Sequence, residues 1–338
     1  MIGVSWKALD LKGVCWQDVP GGSVAYMPQA KVPSVPMESV LVMGAFDGLH
    51  RGHGQLVEHA VADAQERGVA CVAVTFDPDP SQVVDGDCAE KQLLCLNDRV
   101  CGLLRMGVGY VVVLRFTRDL MMLGPAEFVD EVLLPLARPL SVHVGSNFHF
   151  GHKGAGDGST LAQIAFARGF SARVHDLTQS EGQIVSSTRI RGLLKDARLK
   201  EANELLGRCH YVRGVVEHGR GEATSFGFPT ANVRCNSCVC MPAEGVYACY
   251  VTCGDSAWPA AANVGAPPTF SGPDAAFLEA NLLGFEGNLY GREVTVSFVH
   301  WLRASRKFDS IEELERVVLG NIEWVRRNLG QSRIEVSA

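Results

Sequence analysis

Two histidines set three residues apart after a glycine-rich turn are the first groups here whose types and spacing suit a chemical task. They stand in Gly44 to His53, which reads GAFDGLHRGH between an apolar strand-like run and a helical stretch. Glycine lets backbone come close to a phosphate, and the unbonded N–H groups of a helix N-terminus favour an anion there. His50 and His53, at i and i+3, can face one pocket and act as neutral donors to an α-phosphate. The plainer alternative, two histidines that only cap a surface helix, sits poorly with a motif at the end of a first strand. Glu279 is the second unusual group. It lies among Phe277, Leu278 and Leu282 in a strand-like run, an odd place for a carboxylate unless it faces a polar site. Otherwise it is an exposed strand glutamate.

These residues need a scaffold. Residues 39–43 read as a short apolar strand and 53–67 as an amphipathic helix stopped by Gly68. Residues 69–76 form a continuous apolar run, as expected of a parallel strand buried on both faces. Helices at 97–106, 125–134 and 160–168 alternate with strands at 109–115, 141–144 and 171–177, which implies right-handed βαβ units. The first 37 residues, rich in proline and glycine, read as irregular, and 187–206 reads as helical. Beyond about 207 the style changes. Short strand-like segments at 211–217, 245–252, 260–264, 277–283 and 293–299 alternate with glycine and proline turns, and a helix follows over 310–328. That pattern belongs to an antiparallel sandwich or small barrel. The chain therefore divides into two domains of different class, 1–207 and 208–338.

The histidine-x-glycine-histidine signature is similar to that of the HxGH nucleotidyltransferase superfamily. With VGSNFHFGHKG (Val144 to Gly154) and SSTRIR (Ser186 to Arg191), it resembles the FMN adenylyltransferase module of bacterial bifunctional riboflavin kinase/FAD synthetases over roughly 39–206. GFPTAN (Gly227 to Asn232), NVGAPPTF, LEANLLGFEGNLYG and RASRKFDSIEEL resemble the riboflavin kinase module over nearly all of 208–330. The resemblance implies a Rossmann-like α/β nucleotidyltransferase domain, then a small antiparallel six-stranded β-barrel with a terminal helix. It implies ATP as co-substrate, Mg²⁺ as cofactor, and FMN and riboflavin as substrates.

Carried onto these positions, the resemblance places Gly44, Phe46, Asp47, Gly48, His50, Gly52 and His53 around ATP. It places Asn147 near the triphosphate and the flavin phosphate, and Ser187, Thr188 and Arg191 on a second phosphate-holding segment. In the second module Gly227, Pro229, Thr230 and Asn232 would bind ATP, with Thr230 and Asn232 also holding Mg²⁺. Glu279 would take the proton of the riboflavin 5′-hydroxyl. Taken alone, SSTRIR also reads as an ordinary helix N-cap, and His149 and His152 read as solvated loop residues. The departures fall in the second module. Ala223 and Thr224 stand where the family has glycine and arginine, and Asn281 and Gly284 where it has histidine and aspartate. Two alternatives follow: a monofunctional FAD synthetase whose degenerate barrel only binds flavin, or a non-enzymatic flavin-binding or flavin-sensing protein.

Bulk properties narrow the classes further. The 338 residues are 47% apolar and 20% charged, ordinary for a globular chain. A net charge of −6 argues against a general nucleic-acid binder. No secretory leader and no apolar run of membrane-spanning length is read, so a cytoplasmic protein is expected, a monomer or weakly self-associating. The eleven cysteines read as reduced, buried thiols. Cys235, Cys238 and Cys240 form half of a zinc pattern and lack a second ligand pair.

Overall fold

The computed structural model describes residues 17–19, 22–27, 38–84, 90–218, 229–265 and 277–336. These fall into two compact units. One holds residues up to Glu90 together with Cys95–Ser186, and the other holds Lys91–Leu94 together with residues from Ser187 onward.

The first unit is a twisted sheet built from β1 (Gln17–Val19), β2 (Gly22–Met27), β3 (Glu38–Met43), β4 (Ala70–Asp77), β5 (Tyr110–Arg115), β6 (Arg138–Gly145) and β7 (Ser171–His175). Their order is β1-β2-β5-β4-β3-β6-β7. Every neighbouring pair is parallel except β1–β2. A small hairpin, β8 (Gln179–Ser180) with β9 (Gln183–Ile184), stands apart from it. The valine-rich centres of β3, β4 and β5 are buried because helices cover both faces. Leu41, Val72, Val74, Val112, Val142, Leu133 and Leu161 form the middle of that core. Chain order runs outward from β3 through β4 and β5 on one side, and through β6 and β7 on the other. The strand order thus reverses between β3 and β6, and ligands of open parallel sheets bind at such a switch point, beyond the carboxyl ends of the strands.

A carboxylate is buried under this sheet. Asp63, on the helix Arg51–Arg67, accepts hydrogen bonds from Ser141 Oγ, His143 Nε2 (3.0 Å) and Arg67 Nε (2.9 Å). Burial alone would raise its pKa, but those donors outweigh it and hold the carboxyl well below the usual range.

Two expectations need correction. The first 37 residues are not wholly irregular, because β1 and β2 extend the sheet, β2 pairing in parallel with β5. Residues 187–206 form two helices, Ser187–Lys195 and Leu199–Leu206, rather than one. Ala197 takes a φ of 59° there, a left-handed conformation that an α-helix cannot continue through.

In the second unit, β10 (His210–Glu217), β11 (Ala231–Cys235), β12 (Gly245–Cys253), β13 (Ser256–Val264), β14 (Phe277–Leu282) and β15 (Glu293–Ala304) run β12-β15-β10-β11-β14-β13. β12 also pairs with β13, so the six antiparallel strands close into a barrel without a free edge. A short β16 (Ile334–Glu335) adds to β13. Strict alternation along β10 sends Val212 and Val216 inward. The helix Ile311–Leu329 is capped by Ser310, whose side chain accepts from the Glu313 amide, and it buries Ile322 and Val325. Cys235 and Cys249 behave as small apolar residues of this unit, and burial pushes the Cys235 thiol up to about 12.

Gly214 marks a tight approach in the barrel. A Cβ there would lie 2.5 Å from the Arg234 carbonyl of β11, a backbone atom that cannot step aside. Gly214→Ala is expected to destabilise the second unit by about 1–3 kcal/mol, the usual range for overpacking. Denaturant titration followed by the tryptophans of this unit reads the effect, and an unchanged midpoint would show that the barrel yields at this corner.

Candidate functional site

The turn after β3 is held by its neighbours at several atoms. Gly44 donates its amide to the Val74 carbonyl of β4, and the Leu49 amide bonds Phe46 O. Between them Phe46 (φ 54°), Gly48 (φ 83°) and Leu49 (φ 42°) take left-handed conformations. For Phe46 and Leu49 that costs energy, so the surroundings must enforce it. The Ala45 carbonyl accepts from Thr75 Oγ1 (3.0 Å) and from Arg99 Nη1 (2.7 Å). Phe46 is fully buried, and its ring meets the His53 ring edge-on at 5.4 Å.

His50 is the N-cap of the helix Arg51–Arg67, and its Nδ1 accepts the His53 amide at 3.3 Å. That bond leaves the proton on Nε2, so neutral His50 is a donor toward whatever lies beyond the turn. His53 stacks on it, ring centroids 3.7 Å apart, with Nδ1 unpartnered among the described residues. Burial lowers the His50 pKa to about 4. Burial lowers that of His53 well below 6.5 too, helped by His50 and Arg99. Both rings are therefore neutral near pH 7.

The same depression predicts an acid limit to stability. His50, and His210 in the second unit at about 3, are almost fully buried and stay neutral in the fold while the unfolded chain protonates near 6.5. Between pH 6.5 and 4 the unfolded state binds more protons, so stability falls as pH falls and is regained above 6.5. At pH 5 the loss is about 2 kcal/mol for each of these two histidines. Urea midpoints at pH 7.5 and 5.0 measure it, and equal midpoints would contradict the assignment of neutral buried rings.

Asn147 lies in the turn directly after β6, exposed, its amide oxygen beside Gly145. Since β3 and β6 are parallel neighbours, the Gly44–His53 turn and Asn147 stand on the two sides of the switch point. Ser187, Thr188 and Arg191 belong to the second unit, on the helix Ser187–Lys195. There Arg191 Nη2 donates to Thr188 Oγ1 at 3.4 Å. His149 is exposed, whereas His152 is half-buried with Nδ1 3.3 Å from the Met121 carbonyl, so it is not a solvated loop residue.

On the barrel, strand register brings three polar residues into a row. Glu279 of β14 pairs with Asn232 of β11 on one side and with Asn263 of β13 on the other. Paired residues of adjacent strands share a face. The inward neighbours Val233, Leu278 and Val264 are buried, which puts the polar row on the outer face. Asn263 accepts from Ser305 Oγ at 3.3 Å. Pro229 and Thr230 lead into β11, and Asn281, two residues beyond Glu279, donates to the Pro229 carbonyl at 2.8 Å. Asn281 thus steadies the segment carrying Thr230. Gly284 takes a φ of 70°, where a side chain would meet the Gln331 carbonyl. Gly227, Ala223 and Thr224 lie outside the described residues.

Two residues of these sites escaped the sequence reading. Arg99 sat in an expected helix with no role, its only signal a cation among Val100, Leu103 and Leu104. Asn263 opens the NVGAPPTF motif, but only strand register sets it beside Glu279.

The sequence matches the FAD synthetase family over residues 32–189 and the riboflavin kinase family over residues 206–329. A bifunctional riboflavin kinase/FMN adenylyltransferase of Pseudomonas fluorescens is 35% identical over 287 residues, 85% of this chain and 92% of that protein. The enzyme of the same name from Bacillus subtilis is 31% identical, covering 85% and 91%. That from Escherichia coli K12 is 34% identical, covering 82% and 88%. A crystal structure described as a macrolide-efflux protein of Streptococcus pneumoniae superposes with a TM-score of 0.82 at 29% identity, over 90% of this chain and 98% of that one. Among the described residues of the present chain, no helix is long and apolar enough to cross a membrane.

Proposed function

The chain belongs to the bifunctional riboflavin kinase/FMN adenylyltransferase family, and from that premise we propose how its residues divide the two reactions. It transfers the adenylyl group of ATP to FMN, giving FAD and pyrophosphate, and it phosphorylates riboflavin with ATP to give FMN. Adenylyl transfer belongs to the first domain, for which we take 1–207, and phosphorylation to the barrel domain, 208–338.

The observation that carries the first assignment is the parallel pairing of β3 with β6, since the Gly44–His53 turn follows one strand and Asn147 the other at the switch point. The FMN phosphate is already an anion, so no base is needed to make it a nucleophile. Its oxygen attacks the ATP α-phosphorus in line, and pyrophosphate leaves. Catalysis is positioning plus stabilisation of charge on the phosphate oxygens. Neutral His50 and His53 donate hydrogen bonds to those oxygens, while the turn and the helix N-terminus receive the triphosphate. Gly44, Phe46, Asp47, Gly48 and Gly52 shape that turn. Asn147 orients the flavin phosphate.

On the barrel, Glu279 accepts the proton of the riboflavin 5′-hydroxyl as that oxygen attacks the γ-phosphorus of ATP, and ADP leaves. Thr230 and Asn232 offer neutral oxygen donors next to that one carboxylate. The set suits Mg²⁺, which keeps several waters and shares its coordination with phosphates. When bound, Mg²⁺ would neutralise charge on the transferring phosphates. Asn281 holds Pro229 where a histidine stands in the family pattern, and so supports Thr230 by another route.

Incubating the pure full-length protein with riboflavin, ATP and Mg²⁺, and separating the flavins chromatographically, tests both reactions at once. FMN followed by FAD is expected. FAD from FMN with no FMN from riboflavin would favour the monofunctional alternative, and no product from either flavin would favour a binding protein.

A further inference from the structure

A buried positive charge lies under the phosphate turn and takes no part in the scheme above. We propose that Arg99 is a positioning residue for adenylyl transfer, holding the Gly44–His50 turn in its phosphate-receiving shape through the Ala45 carbonyl. The proposal rests on reading that turn as the ATP site.

Arg99 has no exposed surface, and a guanidinium is rarely buried so completely without a specific partner. Its two bonds go to main-chain carbonyls, Nη1 to Ala45 (2.7 Å) and Nη2 to Phe76 (3.0 Å). These carbonyls lie at the carboxyl ends of two adjacent parallel strands, β3 and β4. One planar fork therefore ties both strand ends together at the edge where ligands of such sheets bind. The Ala45 carbonyl is pulled from a second side by Thr75 Oγ1. The next residue, Phe46, is the first of the left-handed conformations, and its buried ring meets His53. A continuous chain of contacts thus runs from Arg99 through Ala45 and Phe46 to His53. Burial lowers the guanidinium's pKa, and the nearby Asp47, Asp79 and Asp77 offset part of that cost.

An arginine that merely fills the core would, when replaced, lower stability without singling out one substrate. A positioning arginine acts on ATP. In the full-length protein, Arg99→Met is expected to raise KM for ATP about tenfold or more and lower kcat for FAD formation, leaving KM for FMN within about twofold. Thr75→Val removes the other donor to the same carbonyl and should shift the same parameters by less. Arg99→Lys keeps the charge but not the fork, and should fall between wild type and Arg99→Met. Riboflavin phosphorylation should be unchanged in all three. A folded Arg99→Met protein with unchanged ATP parameters, or with KM for ATP and FMN rising together, overturns the proposal. Should Arg99→Met fail to fold, unchanged ATP kinetics in both Thr75→Val and Arg99→Lys overturn it equally. His53→Ala run beside them separates the two levels. Loss of FAD formation in His53→Ala with normal Arg99 variants sinks only the role of Arg99, whereas intact FAD formation in His53→Ala removes the ATP-site reading beneath it.

Discussion

Alanine at His53 is expected to lower FAD formation from FMN and ATP by about 10²–10³-fold, the usual loss when one donor to a charged transition state is removed. Burial beside His50 and Arg99 keeps His53 uncharged at working pH, so it contributes a hydrogen bond and not a full charge. The two imidazoles stack at 3.7 Å, so removing one strips a packing surface from the other, while the residue 53 amide still bonds His50 Nδ1. The effect of His53→Ala should therefore lie within the range for one lost donor. His53→Asn, which keeps a donor, should recover part of the rate. Riboflavin phosphorylation by the same protein is the internal control, because Glu279 and its neighbours stand on a different unit. Steady-state kcat and KM for each substrate make the measurement, and FAD output equal to wild type in His53→Ala would remove His53 from the reaction.

How far the sequence could lead depends on the range of the interaction concerned. His50 and His53 were legible because a helix start fixes neighbours at i and i+3 locally, and their roles need only that turn. The buried strands were legible too, since runs such as those of β4 and β5 have one reading in a parallel sheet. Arg99 was not, because its partner Ala45 lies 54 residues away and nothing local distinguishes a core arginine from a surface one. Asn263 was missed as a neighbour of Glu279 for the same reason, since register between β13 and β14 is a tertiary fact. The short strands β1 and β2 escaped because β2 gains its pairing from β5, far along the chain. The break between the helices Ser187–Lys195 and Leu199–Leu206 falls at Ala197, a residue whose propensity favours helix. There a tertiary bond and a local cap prevail: the Leu194 carbonyl accepts the Ala243 amide, and the Leu193 carbonyl accepts the Arg198 amide five residues on.

Glu279→Gln is expected to lower riboflavin phosphorylation by about 10²–10⁴-fold, the range for a lost general base, while FAD formation from supplied FMN continues at the wild-type rate. The substitution is nearly isosteric, so the pairing of residue 279 with Asn232 and Asn263 should survive. What disappears is the ability to take a proton, together with one negative charge beside the oxygen donors of Thr230 and Asn232. These two losses separate experimentally. If the lost charge matters through the cation, raising Mg²⁺ should recover activity; if proton transfer matters, kcat stays low at saturating Mg²⁺. The second result is expected, because two asparagines flanking one glutamate leave it as the only base in the row. Glu279→Asp should sit between, keeping the charge but drawing it back by one methylene from the 5′-hydroxyl. A glutamine variant that phosphorylates riboflavin at the wild-type rate would mean that the hydroxyl loses its proton elsewhere, and the row Asn232, Glu279 and Asn263 would then be a binding surface alone.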